Sequence, residues 1–167
     1  MAMNIEIKAH ARNYVEQKRK AELLGTGDSR VTSQVDTFFI VQHGRLKLRR
    51  LDSCHGQLIH YLRPDCAGPK RSDYVIFETD QPDALVETLS RALELRGVVS
   101  KIRTVIMVEQ TRLHFDDVKE LGKFIEIEVV LKEGQTEIEG RVIAEALMEK
   151  LGILKEDLIE GAYIDLI

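Results

Sequence analysis

From Thr111 to Leu131 the chain reads TRLHFDDVKELGKFIEIEVVL, and charged and apolar residues take turns along it. Arg112, His114 and Asp116 alternate with Leu113 and Phe115; after a turn around Leu121 and Gly122, Glu126 and Glu128 alternate with Ile125, Ile127, Val129 and Leu131. Successive strand side chains point to opposite faces, so each of these strands has one charged and one apolar face. The same alternation recurs with Glu6 and Lys8 among Ile5, Ile7 and Ala9, with Lys47 and Arg49 beside Leu46 and Leu48, with Arg63 beside Leu62, and with Lys101 and Arg103 around Ile102. Basic residues dominate the middle strands and carboxylates the first and last.

Between these strands the pattern predicts three helices. Asn13 is a cap for VEQKRKAELLG, which ends at Gly25; Thr79 or Asp80 caps a helix that starts near Pro82 and ends at Gly97. The last, TEIEGRVIAEALMEKLG, buries a stripe of Ile138, Val142, Ile143, Ala146, Leu147 and Leu151. Strands are expected over residues 4–11, over VTSQVDTFFIV and RLKLRRL as a hairpin, over QLIHYLRP closed by Pro64, and over YVIFET. A long hairpin turns near Glu109 and Gln110. The run from Asp65 to Asp73, with Lys70 and Arg71, reads as a breaker-rich loop and a candidate lid over a ligand.

Roughly eight strands with three amphipathic helices give an α+β domain whose sheet curls toward a barrel, the helices covering its apolar outer face. The charged faces then turn inward, and that many buried charges require partners. A polyanion and hard metal ions would supply them. The competing reading leaves each charged face in solvent, as in most antiparallel sheets.

With 167 residues the chain fits one domain, and its net charge of −4 argues against a general nucleic-acid binder. Cys54 and Cys66 form neither a metal motif nor a disulfide framework. No membrane span or signal segment is visible, so a reduced, cytoplasmic setting is expected, with a homodimer as the default assembly.

NIEIK at Asn4–Lys8, QVDTFF at Gln34–Phe39, LKLR at Leu46–Arg49, IHYLRP ending at Pro64, KIR at Lys101–Arg103, TRLHFDDVKELGKFIEIE at Thr111–Glu128 and the ending GAYIDLI occur in this order along the chain. Together they resemble the CYTH proteins, or triphosphate tunnel enzymes, which include class IV adenylyl cyclases and thiamine triphosphatases; the cyclase-like branch is the nearer match. The resemblance implies an eight-stranded antiparallel closed β-barrel with helices outside, holding a nucleoside, inorganic or organic triphosphate with Mg²⁺ or Mn²⁺. It implies phosphate binding by Lys8, Lys47, Arg49, Arg63, Lys101, Arg103 and Arg112, and metal binding by Glu6, Asp116, Glu126 and Glu128. Lys8, Arg63 and His114 are the catalytic candidates, His114 as a general base or as a partner of the carboxylates. Asn4 stands where the family's opening motif has its first glutamate, which removes one charge from the expected metal site.

His10 and Tyr61 are weaker candidates on the same parity, Asp36 reads as structural, and Tyr163 and Asp165 are candidates for closing one tunnel mouth. Three functions compete: conversion of ATP to cyclic AMP and pyrophosphate, hydrolysis of a tripolyphosphate or organic triphosphate, and non-catalytic binding of a polyphosphate. The metal carboxylates count against the last, since a binding module needs cations but few carboxylates.

Overall fold

The alternating stretches form eight strands in a computed structural model that describes residues 2–167. In chain order the elements are β1 (Ala2–His10), α1 (Tyr14–Leu24), β2 (Arg30–Phe39), β3 (Arg45–Asp52), β4 (His55–Leu62), β5 (Lys70–Thr79), α2 (Pro82–Ala92), β6 (Leu95–Val108), β7 (Thr111–Val118), β8 (Gly122–Val130) and α3 (Glu137–Lys150). Every strand pairs antiparallel with its neighbours, and the sheet closes on itself in the order β1-β5-β4-β3-β2-β6-β7-β8. This is the expected α+β closed barrel. In a ring of eight, strands four places apart face each other, so β1 faces β2, β5 faces β6, and β3 faces β8.

Closure sorts the two parities. Ile5, Ile7 and Ala9 of β1, Leu113 and Phe115 of β7, and Ile125, Ile127 and Val129 of β8 point outward and are buried beneath Ala144 and Leu147 of α3, Leu151 at its C-cap and Ala21 of α1. The main apolar core therefore lies between barrel wall and helices, and the interior is left to polar groups. α3 approaches closely because Gly140 has no side chain: a Cβ there would come within 2.6 Å of Leu131 and 2.7 Å of Ile5. Thr136 starts this helix with a capping box, its hydroxyl accepting from the Glu139 amide while the Glu139 carboxylate accepts from the Thr136 amide. Asn13 caps α1 as expected, through its side-chain oxygen and the Glu16 amide.

Four expectations change. The run 65–73 is not one loop, since β5 begins at Lys70; only residues 63–69 connect the strands. Lys70 is no lid residue: it is 1 % exposed and donates to the carbonyls of Cys66, Glu160 and Ile159 at 2.7, 2.8 and 3.3 Å. The helix expected to reach Gly97 ends at Ala92, and its N-cap is Gln81 instead of Thr79 or Asp80. Gly97 lies within β6, where a Cβ would meet Ile164 at 2.8 Å. On α3 the stripe is rotated: Gly140, Ala144 and Leu147 are buried, whereas Ile138 and Val142 are 73 % and 62 % exposed and Ala146 is also exposed. Helical spacing alone did not tell which of two apolar stripes would meet the sheet.

Candidate active site

The inward parity of the eight strands encloses a cavity of about 540 Å³. Eight Lys and Arg residues line it against five carboxylates, so basic groups outnumber acidic ones inside a chain whose net charge is −4. All seven expected phosphate-binding residues, Lys8, Lys47, Arg49, Arg63, Lys101, Arg103 and Arg112, are among the eight; the eighth, Arg30, was not foreseen. Glu6, Glu126, Glu128 and His114 line the cavity with them. Because β3 faces β8, Lys47 and Arg49 stand across the lumen from Glu126 and Glu128.

The C-terminal segment lies across one end. Tyr163 packs at a tilt against Phe124, 4.9 Å between ring centroids, and the ammonium groups of Lys8 and Lys101 sit 4.1 and 5.6 Å from the Tyr163 ring centre. Asp165 pairs with Arg45 at 2.9 Å and with Arg96. Asp28, Arg30, Leu51, Ile76 and Met107 line the other end.

Inside, Asp36, Glu6, Glu126 and Glu128 are each engaged by a basic side chain. Asp36 is 1 % exposed and takes bonds from two strands: on β3, Arg49 through its Nε and Nη2, both at 2.9 Å, and Lys47 at 3.2 Å, and on β6, Lys101 at 3.0 Å. Burial pushes the Asp36 carboxyl up, but Arg49, Lys101 and Lys47 outweigh it and hold it well below the usual range. The same burial works against the lysines, bringing Lys101 down to about 7 and Lys47 to about 8, each despite Asp36. Asp36 was read as structural, and its parity with Gln34 and Phe38 was the available signal that it faces the lumen.

Arg103 donates to both oxygens of Asp116 at 2.7 Å, and Tyr163 donates its hydroxyl to the same carboxylate at 2.7 Å. Glu126 accepts from Arg103 at 3.3 Å, lies 3.3 Å from Lys8, and meets His114 Nδ1 at 3.2 Å. Glu128 accepts from Arg112 at 2.7 Å and lies 3.6 Å from His114 Nε2, so the imidazole bridges the two glutamates. Arg63 pairs with Glu6, but its Nε and Nη2 are buried without partners. The Arg63 guanidinium also lies 5.5 Å from the ring centre of Tyr61, another cavity residue. His10, by contrast, is exposed and rests on Phe124, outside the cavity lining.

No group of three or more His, Cys, Asp or Glu side chains among the described residues is gathered closely enough to hold a metal ion. Glu6, Glu126 and Glu128 nevertheless present the hard oxygen donors that Mg²⁺ or Mn²⁺ prefers, on a cavity wall, each engaged by a basic side chain. Asp116 does not share that position: it is fully buried, outside the cavity lining, with its oxygens bonded to Arg103 and Tyr163. Asn4 is 1 % exposed and lines the cavity with its Oδ1 unpartnered.

Solved structures share this architecture over nearly the whole chain. The PH1012 protein from Pyrococcus horikoshii OT3 superposes with a TM-score of 0.84 at 25% identity, covering 98% of this chain and 99% of that one. A conserved hypothetical protein from Pyrococcus furiosus gives 0.85 at 21% identity, with 98% and 99% covered. An adenylate cyclase candidate from Vibrio parahaemolyticus gives 0.77 at 14% identity, with 98% and 97% covered. No curated protein matches the chain in sequence. The profile of the CYTH domain matches residues 2–163, the stretch that builds the barrel, α3 and the strap bearing Tyr163, so the chain belongs to the CYTH domain family.

Proposed function

We propose that this protein is a divalent-metal-dependent enzyme that acts on a triphosphate held in the barrel. The observation that carries the reading is Arg63: a buried guanidinium with two unpartnered nitrogens, in a cavity whose lining has more basic than acidic side chains. Leaving a buried charged donor unsatisfied costs more than an ordinary hydrogen bond returns, so such a group calls for an anionic ligand. Lys8, Lys47, Arg49, Lys101, Arg103 and Arg112 surround the same space, and a triphosphate carries enough negative charge to answer them.

Glu6, Glu126 and Glu128 would hold the metal, with Asp116 fixing Arg103 behind them. A bound Mg²⁺ or Mn²⁺ would neutralise phosphate charge and polarise phosphoryl oxygens. Phosphoryl transfer needs little from the protein beyond positioning and electrostatic stabilisation. Lys8 and Arg63 orient the phosphates, and His114 with its two glutamates takes up the proton of the attacking hydroxyl.

The named reaction is that of a class IV adenylyl cyclase. The ribose 3′ oxygen of ATP bonds to the α-phosphorus, the bond to the bridging oxygen breaks, and cyclic AMP and pyrophosphate leave. Hydrolysis is the second reading, in which water attacks the terminal phosphorus and orthophosphate leaves. It is favoured by one structure of the same fold, HpAC1 from Hippeastrum, which has a dominant triphosphatase activity.

Incubation with ATP, tripolyphosphate and thiamine triphosphate, with Mg²⁺ and then Mn²⁺, separates these outcomes by chromatography. Cyclic AMP with pyrophosphate establishes the cyclase, and orthophosphate the hydrolase. Binding without any product reduces the protein to a polyphosphate-binding module.

A further inference from the structure

The barrel wall is uneven at one seam. β1 pairs with β5 from Ala2 opposite Tyr74 to Glu6 opposite Lys70, whereas β5 runs on to Thr79. Over that extension its partner is β4, from His60 opposite Val75 to Gly56 opposite Thr79. On the other side, residues 76–79 have no strand beside them among the described residues. The helices pack mainly elsewhere: α3 on β8 and β1, α1 on β6 and β7, and α2 on β2, β3 and β4. The second half of β5 is left bare, with Val75, Ile76 and Phe77 exposed to 55 %, 42 % and 63 %.

Such an edge offers unpaired N–H and C=O groups to any other strand, and folded proteins guard theirs with lysine, proline, a bulge or an unpaired charge. The edge VIFET at Val75–Thr79 has none of these guards. Its register against β4 is unbroken, and its one charged residue, Glu78, already accepts a hydrogen bond from Gln57 at 2.8 Å. Valine, isoleucine and phenylalanine are instead the residues that pack best across paired strands. Ile76 lines the cavity, so Val75 and Phe77 face outward, on the side of Leu58 and Leu62 of β4.

We infer that two copies of this chain join at the edge, the second half of β5 pairing antiparallel with its counterpart about a two-fold axis normal to the sheet at Phe77. Such an axis keeps every side chain on its own face and makes the edge complementary to itself. Phe77 meets its own counterpart as a cross-strand aromatic pair, Val75 lies opposite Thr79, and Ile76 lies opposite Glu78, so no like charges stand directly opposite each other. A few residues of strand edge make an interface of the small, reversible kind, under about 1,200 Å² in total, and the dimer therefore forms in a concentration-dependent way. Because Ile76 also lines the cavity, the partner's strand continues the barrel wall beside the end away from Tyr163. This assembly is independent of the reaction proposed above.

The test is sedimentation velocity of the intact protein from about 1 to about 500 μM, comparing wild type with the double variant Val75→Lys, Phe77→Lys. Both side chains are exposed on the outer face, so the barrel is expected to fold with them replaced; a thermal melt verifies this. The expected result is a wild-type mass that rises with concentration from that of one chain toward twice that, and a variant that stays a monomer throughout. Amide hydrogen exchange on the wild type needs no variant: exchange at residues 76–79 should slow as concentration rises. A wild type that is monomeric over the whole range overturns the inference. So does a dimer that survives both lysines, a dimer whose edge amides exchange as fast as in the monomer, or growth beyond the dimer. Slow exchange at these amides in a monomer also overturns it, since the chain's own residues would then cover the edge.

Discussion

Arg63 and Asp36 represent the two ways in which this barrel handles buried charge. Asp36 is saturated by Arg49, Lys101 and Lys47, while Arg63 keeps two nitrogens free. The first arrangement holds the cavity together and the second leaves it receptive. Glu126 combines both, because it compensates Lys8 and Arg103 and also faces the lumen. Glu126→Gln keeps the shape and removes the charge, and we expect metal-dependent turnover to fall by at least about a hundredfold while the circular dichroism spectrum is retained. Turnover within about twofold of wild type would remove Glu126 from the metal site.

The lowered lysines give two opposite pH trends. Lys101 and Lys47 lose their protons near 7 and 8, so triphosphate affinity declines as pH rises through that window. Between about 7 and the ordinary lysine value of 10.5, the unfolded chain keeps a proton that folded Lys101 has released. The unfolded state therefore binds more protons, and this group's contribution makes the ligand-free protein more stable as pH rises. Titrations and melts at about pH 6.5 and 8.5 check both signs, and affinity that rises with pH would contradict the assignment.

Among the elements, the strands were the most legible. Alternation located six of the eight, because one parity is apolar and must be covered while the other carries charge, and the β-branched and aromatic runs VTSQVDTFFIV and YVIFET marked β2 and β5. The hairpin turn at Glu109 and Gln110 and the start of α2 at Pro82 were legible for local reasons of turn chemistry and proline geometry. The start of β5 was not, because Pro64 and Pro69 around Gly68 masked Lys70 as a strand residue. Its fit comes from the C-terminal segment, whose Ile159 and Glu160 carbonyls solvate the ammonium, and no local pattern records a contact 89 residues away. The α3 stripe failed for a similar reason: Ile138 and Val142 fit helical spacing, but the small residue Gly140 decides which side can approach β1. Gly140→Ala is expected to cost about 1–3 kcal/mol through contact with Ile5 and Leu131, read as a lower melting temperature. An unchanged melt would show that α3 rides higher over the sheet.

For the molecule as a whole, the residues of the charged lumen were legible but their pairing was not. Which strands face each other depends on the ring order, and that order sets Lys47 and Arg49 opposite Glu126 and Glu128 and leaves Asp116 behind Arg103. The consequence is a cavity whose own cations cover Glu6, Glu126 and Glu128. A triphosphate that draws Arg63, Lys8 and Arg112 to itself uncovers those carboxylates, so anion and metal binding should reinforce each other. No helix among the described residues is long and apolar enough to cross a membrane.

The most direct measurement is a calorimetric titration of tripolyphosphate into wild type and Arg63→Ala, each with and without Mg²⁺. Saturable binding that is tightened by Mg²⁺ and weakened in Arg63→Ala by roughly 1.5–3 kcal/mol is the predicted result. Absence of binding, or binding indifferent to both Mg²⁺ and Arg63, would contradict the tunnel as a triphosphate site.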